Sequence, residues 1–366
     1  MVFYDTTLRD GEQTPGVSFT PEQKLEIAIA LDEIGIQEIE AGFPVVSNRE
    51  FKAVKEIANQ SLNARVFAFC RAKIGDVNTA LKCDVDGIVV ATSLSERHLK
   101  YKLKRSFEAV FREAIDVLEY AKDHVFVSFT TEDATRIPLS KLVDIYSAAL
   151  EFADRVHISD TVGIATTELI ECYVPAIKSL GGEVLCHLHN DFGMATANSI
   201  RAVICGADRV AVTVNGIGER CGNACLQEVA TALEILYGVD TGLKLDKMCE
   251  IAKLVEKYSG IPVHPISPVI GENAFTHESG MHVAGILENP ETYEPYPPEM
   301  VGQKRKIVLG KHSGRKSIVY KMSEINTENN GNYSIDEILK IVKEIHERGY
   351  SVTDKVFRTI CENIGN

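Results

Sequence analysis

The sequence predicts an α/β fold: a closed (β/α)8 barrel of the TIM type over residues 1–260, followed by a mainly helical appendage over residues 261–366. Two observations carry this prediction. Strand-like apolar runs alternate with amphipathic helical stretches eight times in about 240 residues, the size of a parallel barrel whose strands are buried on both faces. Polar residues also gather where nearly every run ends, and barrel enzymes build their sites at that rim. An open doubly wound sheet would show the same alternation of strands and helices. The polar residues at the strand ends therefore favour the barrel over the open sheet.

The first elements show the alternation clearly. Residues 2–4 form a short apolar run, predicted to be a strand that ends in a charged loop. Residues 20–23, Thr-Pro-Glu-Gln, predict a capping box with proline at the first helical position, and helical periodicity continues to Gly35. A second strand is predicted at residues 36–41. Ser47 and Glu50 then predict another capping box, which opens a helix to about Ala58.

The same rhythm continues to about Gly260. Further strands are predicted at residues 64–70, 87–91, 124–130, 155–159, 183–189 and 209–213, with the last barrel helix at about 223–237. Beyond Gly260 frequent prolines interrupt the pattern, which marks the start of the appendage. Its last part, residues 334–348 and 353–364, is predicted to form two helices.

Composition limits the function. The net charge of −13 argues against nucleic acid or an anionic membrane as the main partner, because both reward clustered positive charge. The chain has no run of about 18 apolar residues, and a strand rather than a signal sequence follows Met1, so we expect a cytoplasmic protein. The nine cysteines show no framework spacing, and we expect them to be reduced.

A metal site is the first chemical prediction. His187 and His189 lie two residues apart on a predicted strand and therefore point to one face. Asp10 follows the first strand, so it is expected at the same rim, and Asn223 could complete the set from the loop after strand eight. One carboxylate and two imidazoles suit a borderline divalent cation such as zinc, manganese or iron. The alternative is that the two histidines are hydrogen-bonded core or rim residues.

Other rim residues suggest an acid substrate. Arg9, Arg71 and Arg136 are placed to grip carboxylates, although each could instead form a structural ion pair. Glu132 and Asp133 follow strand five, and a general base could come from this pair, unless Asp133 caps the next helix.

The loop after strand eight carries two weaker signals. Its glycines, Gly216, Gly218 and Gly222, could cradle phosphates, but they lack the dinucleotide spacing. Cys221 and Cys225 are better explained as buried thiols than as a zinc pair.

Four ordered motifs span the chain. They are Asp-Thr-Thr-Leu-Arg-Asp-Gly-Glu-Gln at residues 5–13, His-x-His-Asn-Asp at 187–191, Asn-Gly-Ile-Gly-Glu-Arg-x-Gly-Asn at 215–223, and, in the tail, His-Glu-Ser-Gly at 277–280 with Gly-Lys-His-Ser-Gly at 310–314. Together they resemble the homocitrate synthase, 2-isopropylmalate synthase and citramalate synthase family. The resemblance implies a barrel that joins acetyl-CoA to a 2-oxo acid by metal-assisted Claisen condensation, followed by thioester hydrolysis.

The resemblance also implies roles for individual residues. A divalent metal (Mg, Mn or Zn) would lie on Asp10, His187 and His189, with Asn223 in or near the ligand shell. The substrate acid would meet Arg9 and Gln13, with Thr161 beside it, and Glu132 would belong to the catalytic machinery. The tail would supply His282 and Tyr293 to the site of the other subunit, which implies a homodimer with shared active sites.

Two other functions compete. The 3-hydroxy-3-methylglutaryl-CoA lyases share the opening motif and metal but carry Gly-Cys-Pro-Tyr-Ala in the loop near the barrel's end, where this chain has Gly-Glu-Arg-Cys-Gly-Asn at residues 218–223. A non-catalytic binding protein is disfavoured because all the predicted catalytic and metal residues are present.

The substrate is predicted to be 2-oxoglutarate and the product (R)-homocitrate. The chain stops where isopropylmalate and citramalate synthases commonly continue into a regulatory domain, and its opening motif resembles the methanogen enzymes that make homocitrate for coenzyme B. The second carboxylate of 2-oxoglutarate needs a cationic partner, for which Arg71 and His98 are candidates. Alternatively Arg71 serves another anion such as CoA phosphate, and the acid is 2-oxoisovalerate or pyruvate.

Overall fold

The computed structural model describes residues 2–325 and 334–364. The chain divides into two compact units, Met1–Val263 and His264–Asn366. Within the described residues no helix is long and apolar enough to cross a membrane.

In the first unit, eight parallel strands of the described chain close into a barrel in sequence order, with β1 paired to both β2 and β8. The strands are β1 Val2–Asp5, β2 Glu38–Gly42, β3 Arg65–Arg71, β4 Gly87–Ser93, β5 Phe126–Glu132, β6 Arg155–Asp160, β7 Glu183–Leu188 and β8 Arg209–Val212. The predicted barrel is therefore confirmed. The predicted strand starts at residues 36 and 124 are two residues early.

The helices of the first unit surround this barrel. They are α1 Pro21–Glu33, α2 Asn48–Ala58, α3 Ile74–Leu81, α4 Phe107–Ala121, α5 Leu139–Ala149, α6 Thr167–Lys178, α7 Ala195–Ile204, α8 Leu226–Tyr237 and α9 Met248–Ser259. The second unit contains α10 Gly280–Glu288, α11 Arg315–Glu324, α12 Ile335–Glu347 and α13 Asp354–Ile364, together with a two-stranded parallel sheet of β9 Thr276–His277 and β10 Lys306–Ile307. The predicted helical C-terminal region is confirmed.

Local sequence signals fix the helix starts, with two corrections. Thr20 and Gln23 form the predicted capping box of α1. At α2, Ser47 accepts from the Glu50 N–H, but the Glu50 side chain accepts from the Phe43 N–H and from Lys24 instead of closing the box. The predicted second capping box is therefore only half formed. The last barrel helix begins at Leu226 rather than at Asn223.

The residues inside the barrel differ between the N-terminal ends of the strands, here called the lower end, and their C-terminal ends. At the N-terminal ends of the strands, fully buried Arg155 donates two hydrogen bonds of 2.8 Å to Glu38 and two of 2.9 and 3.1 Å to Glu183. Above them lies an apolar layer made of Tyr4, Phe67, Val89, Leu185 and Ala211. The C-terminal ends are polar, so the interior is a packed core that opens only at the rim.

The second unit has its own apolar core. Residues of α11, α12 and α13 pack together there, with Ile318, Ile338, Val342 and Phe357 fully buried. Ser334 caps α12 by accepting from the Glu337 N–H. The two C-terminal helices predicted at residues 334–348 and 353–364 are confirmed to within one residue.

Candidate active site

A cavity of about 480 Å³ opens at the C-terminal rim of the barrel. Most of the residues predicted to carry chemistry in the barrel line it. The lining consists of Tyr4, Arg9, Asp10, Gln13, Glu40, Phe43, Phe69, Arg71, Val89, Lys102, Thr130, Glu132, His157, Ser159, Thr161, His187, His189, Glu219 and Arg220. The strand ends therefore bring together residues that lie far apart in the sequence.

Asp10 is held in a tight turn directly after β1. The Thr6 carbonyl accepts from the N–H groups of Arg9, Asp10 and Gly11 at 2.9 to 3.1 Å. This turn points the Asp10 carboxylate into the cavity, where Oδ1 accepts from the Glu219 N–H at 3.2 Å.

His187 and His189 meet Asp10 from the end of β7. Their Nε2 atoms lie 3.3 Å apart, and they lie 3.3 Å and 3.6 Å, respectively, from Asp10 Oδ2. Ligands about 2.0–2.2 Å from one ion lie roughly 3 Å or a little more from each other, which matches these separations. All three side chains are buried. The predicted trio is thus the candidate metal site among the described residues.

Asn223 lies beside this trio because its backbone pairs with His189 in an antiparallel bridge. Its Nδ2 donates to Asp10 Oδ1 at 3.1 Å, while its buried Oδ1 has no hydrogen-bond partner in the described part of the chain. A buried amide oxygen without a donor is a suitable fourth ligand for a hard or borderline cation. The donor set therefore fits a divalent metal.

The glycine-rich loop is shaped by this contact. A Cβ atom on Gly218 would lie 2.1 Å from Asn223 Nδ2 and 2.9 Å from Asp10 Oδ1, and one on Gly222 would lie 1.9 Å from the Gly216 carbonyl oxygen. Glycine is required at both positions because the backbone approaches so closely. The loop thus closes over the candidate metal site. Cys225 within it is buried, as predicted, whereas Cys221 is exposed.

The protonation states also suit a cation. Burial alone would raise the pKa of Asp10, but the Arg9 guanidinium and the two imidazoles outweigh it and hold this pKa well below its ordinary value. Burial and neighbouring His187 lower the pKa of His189 to about 4. An ionised carboxylate and a neutral imidazole are the forms that bind metal, so little proton displacement is needed at these two ligands near neutral pH.

Arg9 and Glu40 form the next layer of the site. Arg9 donates from Nε to Glu40 Oε2 at 2.9 Å and from Nη1 to Asp10 Oδ2 at 2.8 Å, and its guanidinium carbon lies 4.9 Å from the centre of the Phe69 ring. Glu40 also accepts from the Thr6 hydroxyl at 2.6 Å. Arg9 is therefore held rigidly at the edge of the cavity.

Glu132 faces the cavity from the end of β5. It is hydrogen-bonded to Lys102, which projects from the π-helical turn His98–Leu103, and its Oε2 lies 3.6 Å from His98 Nδ1. Thr161 lies nearby and accepts the Asp133 N–H at 2.8 Å. Asp133 itself accepts from Ser95 at 2.7 Å and makes no helix-capping hydrogen bond, so the predicted alternative role as a cap does not apply.

Not every predicted residue is found in the cavity. Arg136 lies at a separate pocket of about 180 Å³, with Nε 3.5 Å from Asp133 Oδ1. His98 is likewise outside the lining of the main cavity. Arg71 lines the cavity but already holds Asp76 with two hydrogen bonds of 2.7 and 3.1 Å.

His282 and Tyr293 belong to the second unit. Their rings are stacked with centroids 4.1 Å apart. Near them in the chain, Glu294 is buried and accepts two hydrogen bonds of 2.6 Å from Arg305. The two residues that the resemblance selects are therefore direct neighbours.

Several lining residues received no role from the sequence. Lys102 belongs to a short basic stretch outside the motifs. Arg220 lies within the motif at residues 215–223 and holds Asp191 and the Thr161 carbonyl with bonds of 2.7 to 2.8 Å. His157 could have been found, because it alternates with the apolar residues Val156 and Ile158 of β6 and so points into the barrel. Tyr4 gives no such signal within its apolar run.

Comparisons with known proteins decide the family. The sequence model of the HMGL-like family matches residues 1–255, and the homocitrate synthase post-HMGL domain-like model matches residues 269–350. The chain belongs to the HMGL-like family. Homocitrate synthase AksA of Methanopyrus kandleri is 51% identical over 367 residues, covering 100% of this chain and 92% of that protein. A probable 2-isopropylmalate synthase of Ignicoccus hospitalis is 49% identical, covering 99% of this chain and 91% of that protein.

Similar solved structures support the fold alone. The HMG-CoA lyase of Bacillus subtilis superposes with a TM-score of 0.65 at 21% identity, over 72% of this chain and 94% of that structure. Together the comparisons confirm the resemblance predicted from the motifs: the chain is an enzyme of the homocitrate and isopropylmalate synthase group. They do not fix the 2-oxo acid, because relatives of similar identity and coverage carry two different names. The probable 2-isopropylmalate synthase is also matched over 91% of its length, so chain length does not separate the two enzyme names.

Proposed function

We propose that the protein condenses acetyl-CoA with 2-oxoglutarate and hydrolyses the thioester, giving (R)-homocitrate and CoA. The cationic groups that line the cavity favour a dianionic acid. Among the described residues that line it are four basic side chains, Arg9, Arg71, Lys102 and Arg220, besides the carboxylates Asp10, Glu40, Glu132 and Glu219. Arg71 and Arg220 are already paired with Asp76 and Asp191 outside the lining, but a guanidinium has five N–H donors and can also bind a substrate carboxylate. A dicarboxylic acid can use two of these cationic groups, whereas a monocarboxylic acid can use only one.

In this proposal the chain's own residues position the acid. We assign the remaining N–H groups of Arg9, together with Gln13 and Thr161, to the carboxylate and 2-oxo group. Arg71 contributes positive charge toward the second carboxylate from the end of β3. When bound at Asp10, His187 and His189, a divalent metal would polarise the 2-oxo group and stabilise the negative charge that develops on its oxygen.

Glu132 is assigned as the general base. It removes a proton from the acetyl methyl group, and that methyl carbon then bonds to the keto carbon of the acid. The keto oxygen takes up a proton and becomes the tertiary hydroxyl, and water then cleaves the thioester and releases CoA. Lys102 orients Glu132 through their direct hydrogen bond. Arg9, held by Glu40 and Asp10, fixes the acid so that the two carbons meet.

A second cavity offers room for acetyl-CoA. It measures about 340 Å³ and shares Arg9, Gln13 and Phe43 with the first cavity. Ser47 and Arg49 at the start of α2 also line it. A helix start and an arginine both favour an anionic ligand, so we assign this cavity to the co-substrate.

The test is a CoA-release assay with acetyl-CoA against 2-oxoglutarate, 2-oxoisovalerate and pyruvate. We expect the highest kcat/KM with 2-oxoglutarate. Arg71→Leu should lose about tenfold more against 2-oxoglutarate than against 2-oxoisovalerate, since a hydrogen bond to a charged group contributes ~1.5 kcal/mol. Arg136→Leu is the control, because Arg136 lies outside the cavity. A preference for 2-oxoisovalerate or pyruvate would contradict 2-oxoglutarate as the substrate, but it would still agree with the proposed condensation reaction.

A further inference from the structure

Two buried polar groups below the candidate metal site have no role in the proposed function so far. Tyr4 and His157 are 1% and 4% exposed, and both line the cavity. Tyr4 Oη and His157 Nε2 have no hydrogen-bond partner among the described residues. Leaving a buried polar atom unpaired is destabilising, so two such groups at one cavity indicate a polar ligand there.

Strand register connects these groups to the rim. Arg71 pairs with Ala91, Ala91 with Thr130, and Thr130 with His157, so the four residues form one row across β3 to β6. Residues paired in a parallel sheet point to the same face, and Arg71, Thr130 and His157 all line the cavity. This row therefore runs from the rim of the barrel to its interior. Tyr4 meets His157 at its end, with ring centroids 6.0 Å apart.

Both groups are suited to donate hydrogen bonds. Burial raises the pKa of Tyr4 well above its ordinary value, so its phenol keeps the proton. Burial, assisted by Arg155, lowers the pKa of His157 and keeps this imidazole neutral. Nearby Glu40 is paired at 2.9 Å with Arg9, which it shares with Asp10, and this ion pair reduces its repulsion of an anion. An isopropyl group at this depth would leave both donors unpaired, whereas a carboxylate accepts from both.

We propose that Tyr4 and His157 form the floor of the substrate pocket and select dicarboxylic 2-oxo acids, with Tyr4 Oη and His157 Nε2 donating to the carboxylate at the far end of the substrate. This inference rests on the proposed condensation and names the residues that determine its acid. Arg71 contributes positive charge at the rim, whereas the hydrogen bonds from Tyr4 and His157 orient the far carboxylate.

The test compares substrate preference in His157→Leu and Tyr4→Phe with that of the unmutated enzyme. CoA release is measured with 2-oxoglutarate, 2-oxoadipate and 2-oxoisovalerate. Each variant should lower kcat/KM for the two dicarboxylic acids by about tenfold or more, while kcat/KM for 2-oxoisovalerate stays within about threefold, because only the dicarboxylic acids lose a hydrogen bond. His157→Asn keeps a neutral donor and should retain part of the preference, which covers the case in which the leucine variant folds poorly.

Tyr173→Phe is the matched control. It removes a phenol that donates to the Ile137 carbonyl at 2.9 Å outside the cavity, so the preference should not change. Equal losses for all three acids in the Tyr4 and His157 variants would overturn the inference, since buried water or packing would then explain the two groups. If the unmutated enzyme releases no CoA with any acid, the proposed function itself fails. These two failures are therefore distinguishable.

Discussion

At the scale of single residues, the charge of Asp10 prepares the site for a cation. Its Oδ2 faces Arg9 and both imidazoles, and its Oδ1 faces Asn223 and the Glu219 N–H. Every group around the carboxylate is therefore a donor or a ring nitrogen. A cation between Asp10 and the histidines would replace nitrogen-to-nitrogen contacts of 3.3 Å with ligand bonds, which favours the metal-bound form.

We predict that His187→Ala removes both metal and activity. Partners that only orient a metal ligand cost about 10- to 100-fold when removed, so losing the ligand itself should cost more than about a hundredfold in kcat/KM. The fold should survive, because the residue lies at the rim. Metal content by elemental analysis, CoA release and the circular dichroism spectrum provide the measurements. His124→Ala, an exposed histidine before β5, is the control. Full activity in metal-free protein would contradict the assignment.

His157 predicts a particular pH dependence of stability. Its pKa lies well below the ordinary value in the folded state because of burial, while the unfolded chain has a pKa of about 6.5. As pH falls below that value, the unfolded state binds a proton that the folded state does not, so this group destabilises the fold. His157→Asn should therefore lose less unfolding free energy than the unmutated protein between pH 7 and pH 4.5, by up to about 2.5 kcal/mol. Denaturant titration at both pH values measures this difference, and equal losses would contradict it.

Residue spacing predicted the metal trio but not the floor. Two histidines at i and i+2 share a strand face whatever the fold, and Asp10 follows a strand end, so both signals are local. Tyr4 becomes a candidate only when β1, β6 and the cavity are seen together. Arg71 shows the reverse case: its position was predicted, but its ion pair with Asp76 on α3 required the structure.

At the scale of elements, the lower end of the barrel depends on one buried cation. Arg155 joins Glu38 of β2 to Glu183 of β7, and its guanidinium lies 5.3 Å from the centre of the Phe67 ring and 5.0 Å from that of Phe126. The contacts reach the adjacent strands β5 and β7 and also cross the barrel to β2 and β3, which are not neighbours of β6. Removing the cation would leave Glu38 buried with less compensation.

We predict that Arg155→Met lowers the free energy of unfolding by about 3–5 kcal/mol, the usual cost of breaking a buried pair from one side. kcat/KM should change little at a temperature where the variant is folded, because the substitution lies at the end opposite the candidate site. Chemical denaturation provides the measurement. Lys247→Met, which breaks the exposed pair with Glu250, should lower the free energy of unfolding far less, because solvent screens that pair. Equal effects of the two substitutions would show that the buried network adds no stability.

Strands and helices could be told apart in the sequence because their hydrophobic patterns repeat with different periods. The caps and first residues of several helices could not be predicted in the same way. Glu50 looks like the second half of a capping box, but Lys24 and the Phe43 N–H compete for its carboxylate. Asn223 looks like the start of a helix, yet its backbone pairs with His189 and the helix begins three residues later. In both cases a tertiary contact overrides the local signal.

At the scale of the whole molecule, the resemblance assigns His282 and Tyr293 of the second unit to the site of the other subunit. Their stacked rings form a compact pair, and exposed Met281 lies next to His282 in the chain. A shared site requires a homodimer in which each barrel is completed by the tail of its partner. This arrangement stays a prediction, and subunit mixing can test it directly.

We predict that mixing inactive Glu132→Gln subunits with inactive His282→Ala subunits restores activity. In a mixed dimer with shared sites, one site combines the intact Glu132 of one subunit with the intact His282 of the other. Random exchange makes half of the dimers mixed, with one working site of two, so activity should reach about one quarter of that of the unmutated enzyme. Differently tagged subunits and native mass spectrometry establish the exchange. If each site used only its own chain, mixed dimers would contain no complete site, and activity would stay at the level of the parents despite full exchange.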